Sequence, residues 1–314
     1  MRPATFEQGP PLESVLEIVE VESGKRRIIF VTRDHIEAPN WSRDGQYLLF
    51  NRSIMAPGGG TLHRIDIGQF FAGTPVGEPV FVETGLNSCN NDHGFSPDGT
   101  KLAVSMQSDP GFASRVFLLP AAGGTDPTLL TPEAPSYWHG WSPDGKTIAY
   151  VGKRDGEYDI YTRPITGGAE IRLTDSPGLN DGPDYSPDGR HIFFNSLRTG
   201  NMKIWRMDAD GANPVQLTFE KEYRDWFPHP SPDGRWLVFL SFGEGVPPAE
   251  HGVLDDVVLR LMPAGGGEPH VLARLYGGQG TINVPSWSPD GRHVAFISFR
   301  ARSRANHADM GDFA

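Results

Sequence analysis

Trp141-Ser142-Pro143-Asp144-Gly145, running into the apolar stretch Thr147-Ile148-Ala149-Tyr150, carries the organisation of this chain. Proline presets the φ of a turn, Asp can bond the backbone beyond it, and Gly takes the φ > 0 position, so the phrase reads as a tight turn between two strands. It occurs six times. The other copies are Trp41-Ser42-Arg43-Asp44-Gly45, Phe95-Ser96-Pro97-Asp98-Gly99, Tyr185-Ser186-Pro187-Asp188-Gly189, Ser231-Pro232-Asp233-Gly234 and Trp287-Ser288-Pro289-Asp290-Gly291. Their Asp residues step by 54, 46, 44, 45 and 57 positions. Around the quoted copy a third strand follows, Asp159-Ile160-Tyr161-Thr162-Arg163, then a Gly167-Gly168 turn and a fourth, Glu170-Ile171-Arg172-Leu173-Thr174. Four strands in a repeat of about 45 to 55 residues predict a propeller blade.

The last copy is followed by one more strand, His293 to Phe299, and then a polar tail. The missing outer pair stands at the other end: Ser14 to Val21, a Ser23-Gly24 turn, and Arg26 to Val31. The fold expected is therefore all-β, a six-bladed β-propeller of four-stranded blades whose N-terminal strands complete the last blade. It forms a single domain over 1–314, with an extension at 1–13, blades over 14–300 and a tail over 301–314. Closure of this kind leaves no open sheet edge at the seam.

These phrases, together with Asp159-Ile160-Tyr161, the Gly-Gly turns and the strand ends Leu173-Thr174 and Leu217-Thr218, resemble the TolB-type, or WD40-like PD40, β-propellers. The resemblance spans roughly residues 14 to 300. It implies the fold and leaves function open, because propellers host scaffolds, lyases and hydrolases alike. TolB proper adds a secretion signal and an N-terminal α/β domain, and neither is visible here, so a cell-envelope role is not expected.

Composition limits the partners. There are 28 basic against 39 acidic residues, a formal net charge of −11, which disfavours nucleic acid. The lone Cys89 excludes an internal disulfide and a cysteine zinc site. No apolar run is long enough for a membrane span or a signal segment, and a cytoplasmic location is the expectation. No Gly-x-Ser-x-Gly elbow, phosphate loop or His-Glu-x-x-His helix appears.

Function is sought where the six innermost strands begin. Residues just before each motif should converge at one mouth of the central channel, and they are unusually polar. Two chemistries are expected there. In the first, Asp92, Asp181 and Asp225 act as acid and base on a glycosidic bond, with His93 and His139 as polarising groups. Tyr137, Trp138 and Trp226 would stack on a sugar ring, and Glu37, Asn91, Asn283, Arg154 and Arg198 would bind its hydroxyls or a uronate carboxylate. In the second, His93, His139 and His229 hold a divalent metal, as propeller-type oligogalacturonate lyases use channel histidines, and uronate β-elimination replaces hydrolysis. The expected ligand is a small polar molecule, a carbohydrate first. The rival is a non-catalytic scaffold that docks a protein partner through a rim loop such as 243–256.

Overall fold

The computed structural model describes residues 12–53, 60–86, 88–107, 113–252 and 254–301. Most of the expected N-terminal extension, the polar tail and much of the connections 51–62 and 107–115 lie outside those residues. Among the described residues there is no α-helix, only two short 3-10 turns.

The strands form antiparallel sheets in chain order. His35–Trp41, Tyr47–Ser53, Gly60–Asp66 and Val80–Val82 make one four-stranded meander. Cys89–Phe95, Lys101–Met106, Arg115–Pro120 and Thr128–Leu129 make the next, tied to the first by a bridge between Gly60 and Cys89. Three more follow, opened by Ser136–Trp141, Asn180–Tyr185 and Arg224–Pro230. Finally, Leu12–Glu20 lies between Arg26–Thr32 and His293–Ala301, bonded to both. Leu12–Glu20 therefore shares a sheet with the last strand among the described residues.

Each sheet buries its second strand on both faces, which is why these strands are continuous apolar runs and not alternating ones. At the eighth residue after the motif Ser stand Phe50, Val104, Tyr150, Phe194, Phe239 and Phe296, all fully buried. Each contributes roughly 1.5–3 kcal/mol by leaving water.

The motif turns are held identically. In every copy the Ser hydroxyl donates to the Asp carboxylate, for example Ser142 to Asp144 at 2.7 Å, and accepts the amide that opens the second strand, here Thr147 at 2.9 Å. The Gly residue closes the turn with φ between +68° and +72° in all six. Sheets also meet at these turns. Pro97 packs over Gly145, Pro143 over Gly189, Pro187 over Gly234, Pro232 over Gly291 and Pro289 over Gly45. Arg43 takes the corresponding place against Gly99.

The Leu-Thr signature has a similar cause. Thr131, Thr174 and Thr218 accept the amides of Val116, Ile160 and Ile204, where the short fourth strand has run out of backbone partners.

Candidate functional site

Five innermost strands break register just before their motifs, between Glu37 and Asn40, Cys89 and His93, Trp138 and Gly140, Asp181 and Asp184, and Trp226 and His229. The sixth expected one is not a strand and makes only a bridge from Trp287 to Val294. Ala38, Gly182 and Phe227, at one shared register, have φ of 58°, 59° and 54°. A left-handed residue inside a strand re-aims its neighbours, and for Ala and Phe it costs about 1–2 kcal/mol. The bulges bring polar side chains from separate sheets together.

Asp92, Asp181 and His139 form the centre of the group. His139 Nε2 lies 3.2 Å from Asp181 Oδ1, which also accepts the Gly182 amide at 2.7 Å. Asp92 is buried and accepts from Asn283 Nδ2 at 2.9 Å. Burial pushes the Asp92 carboxyl up to about 6, against the pull of His139. Burial also works upward on Asp181, but the His139 ring outweighs it and holds that carboxyl below the usual range. On His139 burial works downward, and Asp181 followed by Asp92 reverses it, so the imidazole is the more basic for its neighbours. Two carboxylates on one imidazole are thus driven apart in pKa, which is how one site obtains both an acid and a base.

Glu37, Asn91 and Tyr137 stand half-buried beside this centre. Asn91 Nδ2 donates to Glu37 Oε2 at 3.3 Å, and His35 Nε2 lies 2.8 Å from Glu37 Oε1. The Tyr137 hydroxyl is pushed up by burial and then by Tyr158, Asp92 and Asp181.

Seven expected residues are placed otherwise. Asp225 is fully buried between sheets, accepting from Ser241 at 2.7 Å and facing Lys203 Nζ at 3.2 Å, so it is a structural anion. Arg154 is spent on Glu170, with Nε–Oε1 at 2.8 Å, and on the Pro135 carbonyl. Arg198 lies over the Trp205 ring and donates to Ser196. The indoles of Trp138 and Trp226 are 1% and 0% exposed, so neither offers a face for stacking. Gly94 lies flat against the Trp138 ring, while His251 packs edge-on against Trp226 at 4.8 Å.

The three-histidine metal set does not assemble. His229 uses both nitrogens, on Asp184 at 3.1 Å and on the Ile282 carbonyl at 2.7 Å. His93 is fully buried, and burial drives its pKa down to about 3. Among the described residues no three of His, Cys, Asp and Glu converge as metal ligands.

One further residue, which the sequence did not single out, stands beside this group. His251, on the 243–256 connection, is electrostatically coupled to Asp181, Glu37 and His139, although burial lowers its pKa. The loop was recognisable as a wall of the mouth; which of its residues faced inward was not.

Known proteins bear on this geometry. The model of the TolB beta propeller domain matches residues 131–257. An uncharacterised protein of Agrobacterium fabrum is 48% identical over 292 residues, 93% of this chain and 94% of its own. The chain belongs to the TolB-type β-propeller family. A solved structure from Agrobacterium tumefaciens, described as a candidate TolB, is likewise 48% identical, with a TM-score of 0.84 over 92% of this chain and 99% of that one. A manganese complex of an oligogalacturonate lyase shares the fold at 14% identity, TM-score 0.52, over 85% of this chain and 74% of that one. No helix in the described residues of this TolB-type propeller is long and apolar enough to cross a membrane.

Proposed function

We propose that this TolB-type protein is a cytoplasmic six-bladed propeller that binds a small polyol, a carbohydrate first, at the channel mouth around Asp181. In this reading residues 1–314 form a single propeller domain with its blades over 14–300, and nucleic acid is not a partner. The supporting observation is the opposed pair of carboxylates. Asp92 is held up and Asp181 down about His139, with Glu37, Asn91 and Tyr137 half-buried beside them. Hydroxyl groups need such mixed acceptors and donors. Glycoside cleavage would use Asp181 as the ionised base or nucleophile and Asp92 as the proton source.

With His229 occupied and His93 walled in, the residues do not fit a metal, and the eliminative variant loses its ligand set. The test is thermal unfolding against a panel of neutral sugars and uronates, using the intact protein and the Asp181→Asn and Asp92→Asn variants. A ligand at a hundred times its dissociation constant adds about 2.7 kcal/mol. A sugar-specific rise in midpoint, lost in Asp181→Asn, is expected. Glycoside turnover retained in both folded variants would reject the acid/base assignment, and a flat panel would favour the protein-docking scaffold.

A further inference from the structure

The channel has a second mouth on the side of the motif turns, and one residue breaks its regularity. Five of the six copies place proline at the second motif position; the first places Arg43. The cavity there has a volume of about 240 Å³, room for about eight waters. Its walls are the motif prolines and the aromatic faces of Trp41, Phe95, Trp141, Tyr185 and Trp287. Proline has no N–H, so the walls are poor in donors.

Among the described residues that line this cavity, Arg43 is the one cation and Asp184 the one carboxylate. Arg43 is exposed to solvent in the mouth. Its Nε donates to the Ser96 carbonyl at 3.1 Å and its Nη2 to the Phe95 carbonyl at 2.9 Å, which fixes the guanidinium plane. Nη1 is left over. On Asp184, Oδ2 faces His229 Nδ1 at 3.1 Å, while Oδ1 packs close to Gly140 and the carboxylate also interacts with the Tyr185 amide. The two charges interact through space but do not come within ion-pairing distance of each other. An anchored guanidinium with free N–H groups and a carboxylate held in place by His229 thus line one cup of prolines and aromatic rings. Such a surrounding strengthens both.

We propose that this second mouth binds a small organic acid, its carboxylate on Arg43 and a hydroxyl or ammonium group at its other end on Asp184. Arginine suits the task because its planar fork stays charged and matches a carboxylate. Nothing in the turn requires it. The backbone at this position accepts proline in the other five copies, and the Arg43 stem already fills the place of that ring against Gly99.

The test is a titration followed by intrinsic tryptophan fluorescence and by thermal midpoint. The probes are acetate, γ-hydroxybutyrate, γ-aminobutyrate and the methyl ester of the last. Saturable binding of the acids is expected, with the hydroxy and amino acids tighter than acetate and the ester silent. Arg43→Pro restores the common motif and should fold with an unchanged midpoint, yet weaken the acids about tenfold or more; Arg43→Gln should do the same. Asp184→Asn should keep acetate and erase the advantage of the amino acid. Asp181→Asn, at the opposite mouth, should bind as the native protein does, which separates this site from the sugar site. Acids that fail to saturate, or that bind the two Arg43 variants undiminished, would overturn the proposal.

Discussion

Lys203 grips Asp225 in a buried ion pair, Nζ to Oδ2 3.2 Å, at the positions where the preceding pair of sheets sets Asp159 against Asn180. The third strand of one sheet is thereby clamped to the innermost strand of the next in both places. In one the anion lies on the third strand, and in the other it lies on the innermost strand. Lys203 also donates to the Tyr223 carbonyl at 2.7 Å, and Asp225 has Arg260 at 3.8 Å.

Asp225→Asn should therefore destabilise the fold by about 3–5 kcal/mol, because Lys203 is left buried without its anion. Lys203→Asp combined with Asp225→Asn copies the preceding pair and should recover much of the loss. Chemical denaturation measures both. A folded Asp225→Asn protein that keeps its sugar affinity would separate this residue from the binding site.

Asp92 predicts a trade between stability and function. Its folded pKa, about 6, is above that of an unfolded Asp, so it favours the fold below about pH 4, and that contribution disappears as the pH rises through 6. At pH 8 a buried carboxylate is being held ionised at a cost of a few kcal/mol. Asp92→Asn should raise the melting midpoint at pH 8 and leave it nearly unchanged at pH 4, and under the proposed acid/base role it should also abolish glycoside turnover. A lower midpoint at pH 8 would show that the carboxylate is stabilising.

The motif turns titrate in the opposite sense. Ser96, first among the causes, brings Asp98 down to about 2; burial resists at Asp233, but Ser231 and Arg235 bring it to about 2 as well. Carboxyls depressed in the fold stabilise above their unfolded pKa of about 3.9 and lose that contribution as the pH falls toward 2. Acid unfolding should be late and steep. Ser96→Ala with Ser231→Ala should move it to higher pH, read by circular dichroism against pH.

Gly94 offers a steric test. A methyl group there would meet the Trp138 ring at 2.1 Å, and that indole is 1% exposed. Gly94→Ala should cost about 1–3 kcal/mol or more by overpacking. Trp138→Phe in the same chain should return part of it. Unchanged stability in Gly94→Ala would mean that the two sheets part easily.

The repeat was legible because its chemistry is local: Ser, Pro, Asp and Gly make one turn whatever surrounds them. The mouth was legible in part. Asp92, Asp181, His139, Glu37, Asn91 and Tyr137 gather there, each within two positions of a bulge, and Asn283 joins them from a segment that forms no strand. Asp225 failed because it sits one residue earlier than the register of Asp181, and in a strand one residue is the other face. Trp226 holds that register but is covered by His251 from a distant loop, which no strand pattern reveals. Arg154 and Arg198 were assigned by charge alone, while their partners lie further out, Glu170 just before the fourth strand of its sheet and Trp205 on the third strand of the next.

Leu12–Glu20 is bonded along its length to His293–Ala301, and Ser298 donates to Glu17 across 281 positions of sequence. This has a bearing on biosynthesis. This strand must wait for a partner translated some 281 positions later, with Val15, Leu16, Ile18 and Val19 uncovered in the meantime. The interval is long enough for mispairing with other nascent chains. Whatever shields that strand until its partner emerges then bears on the yield of the folded protein.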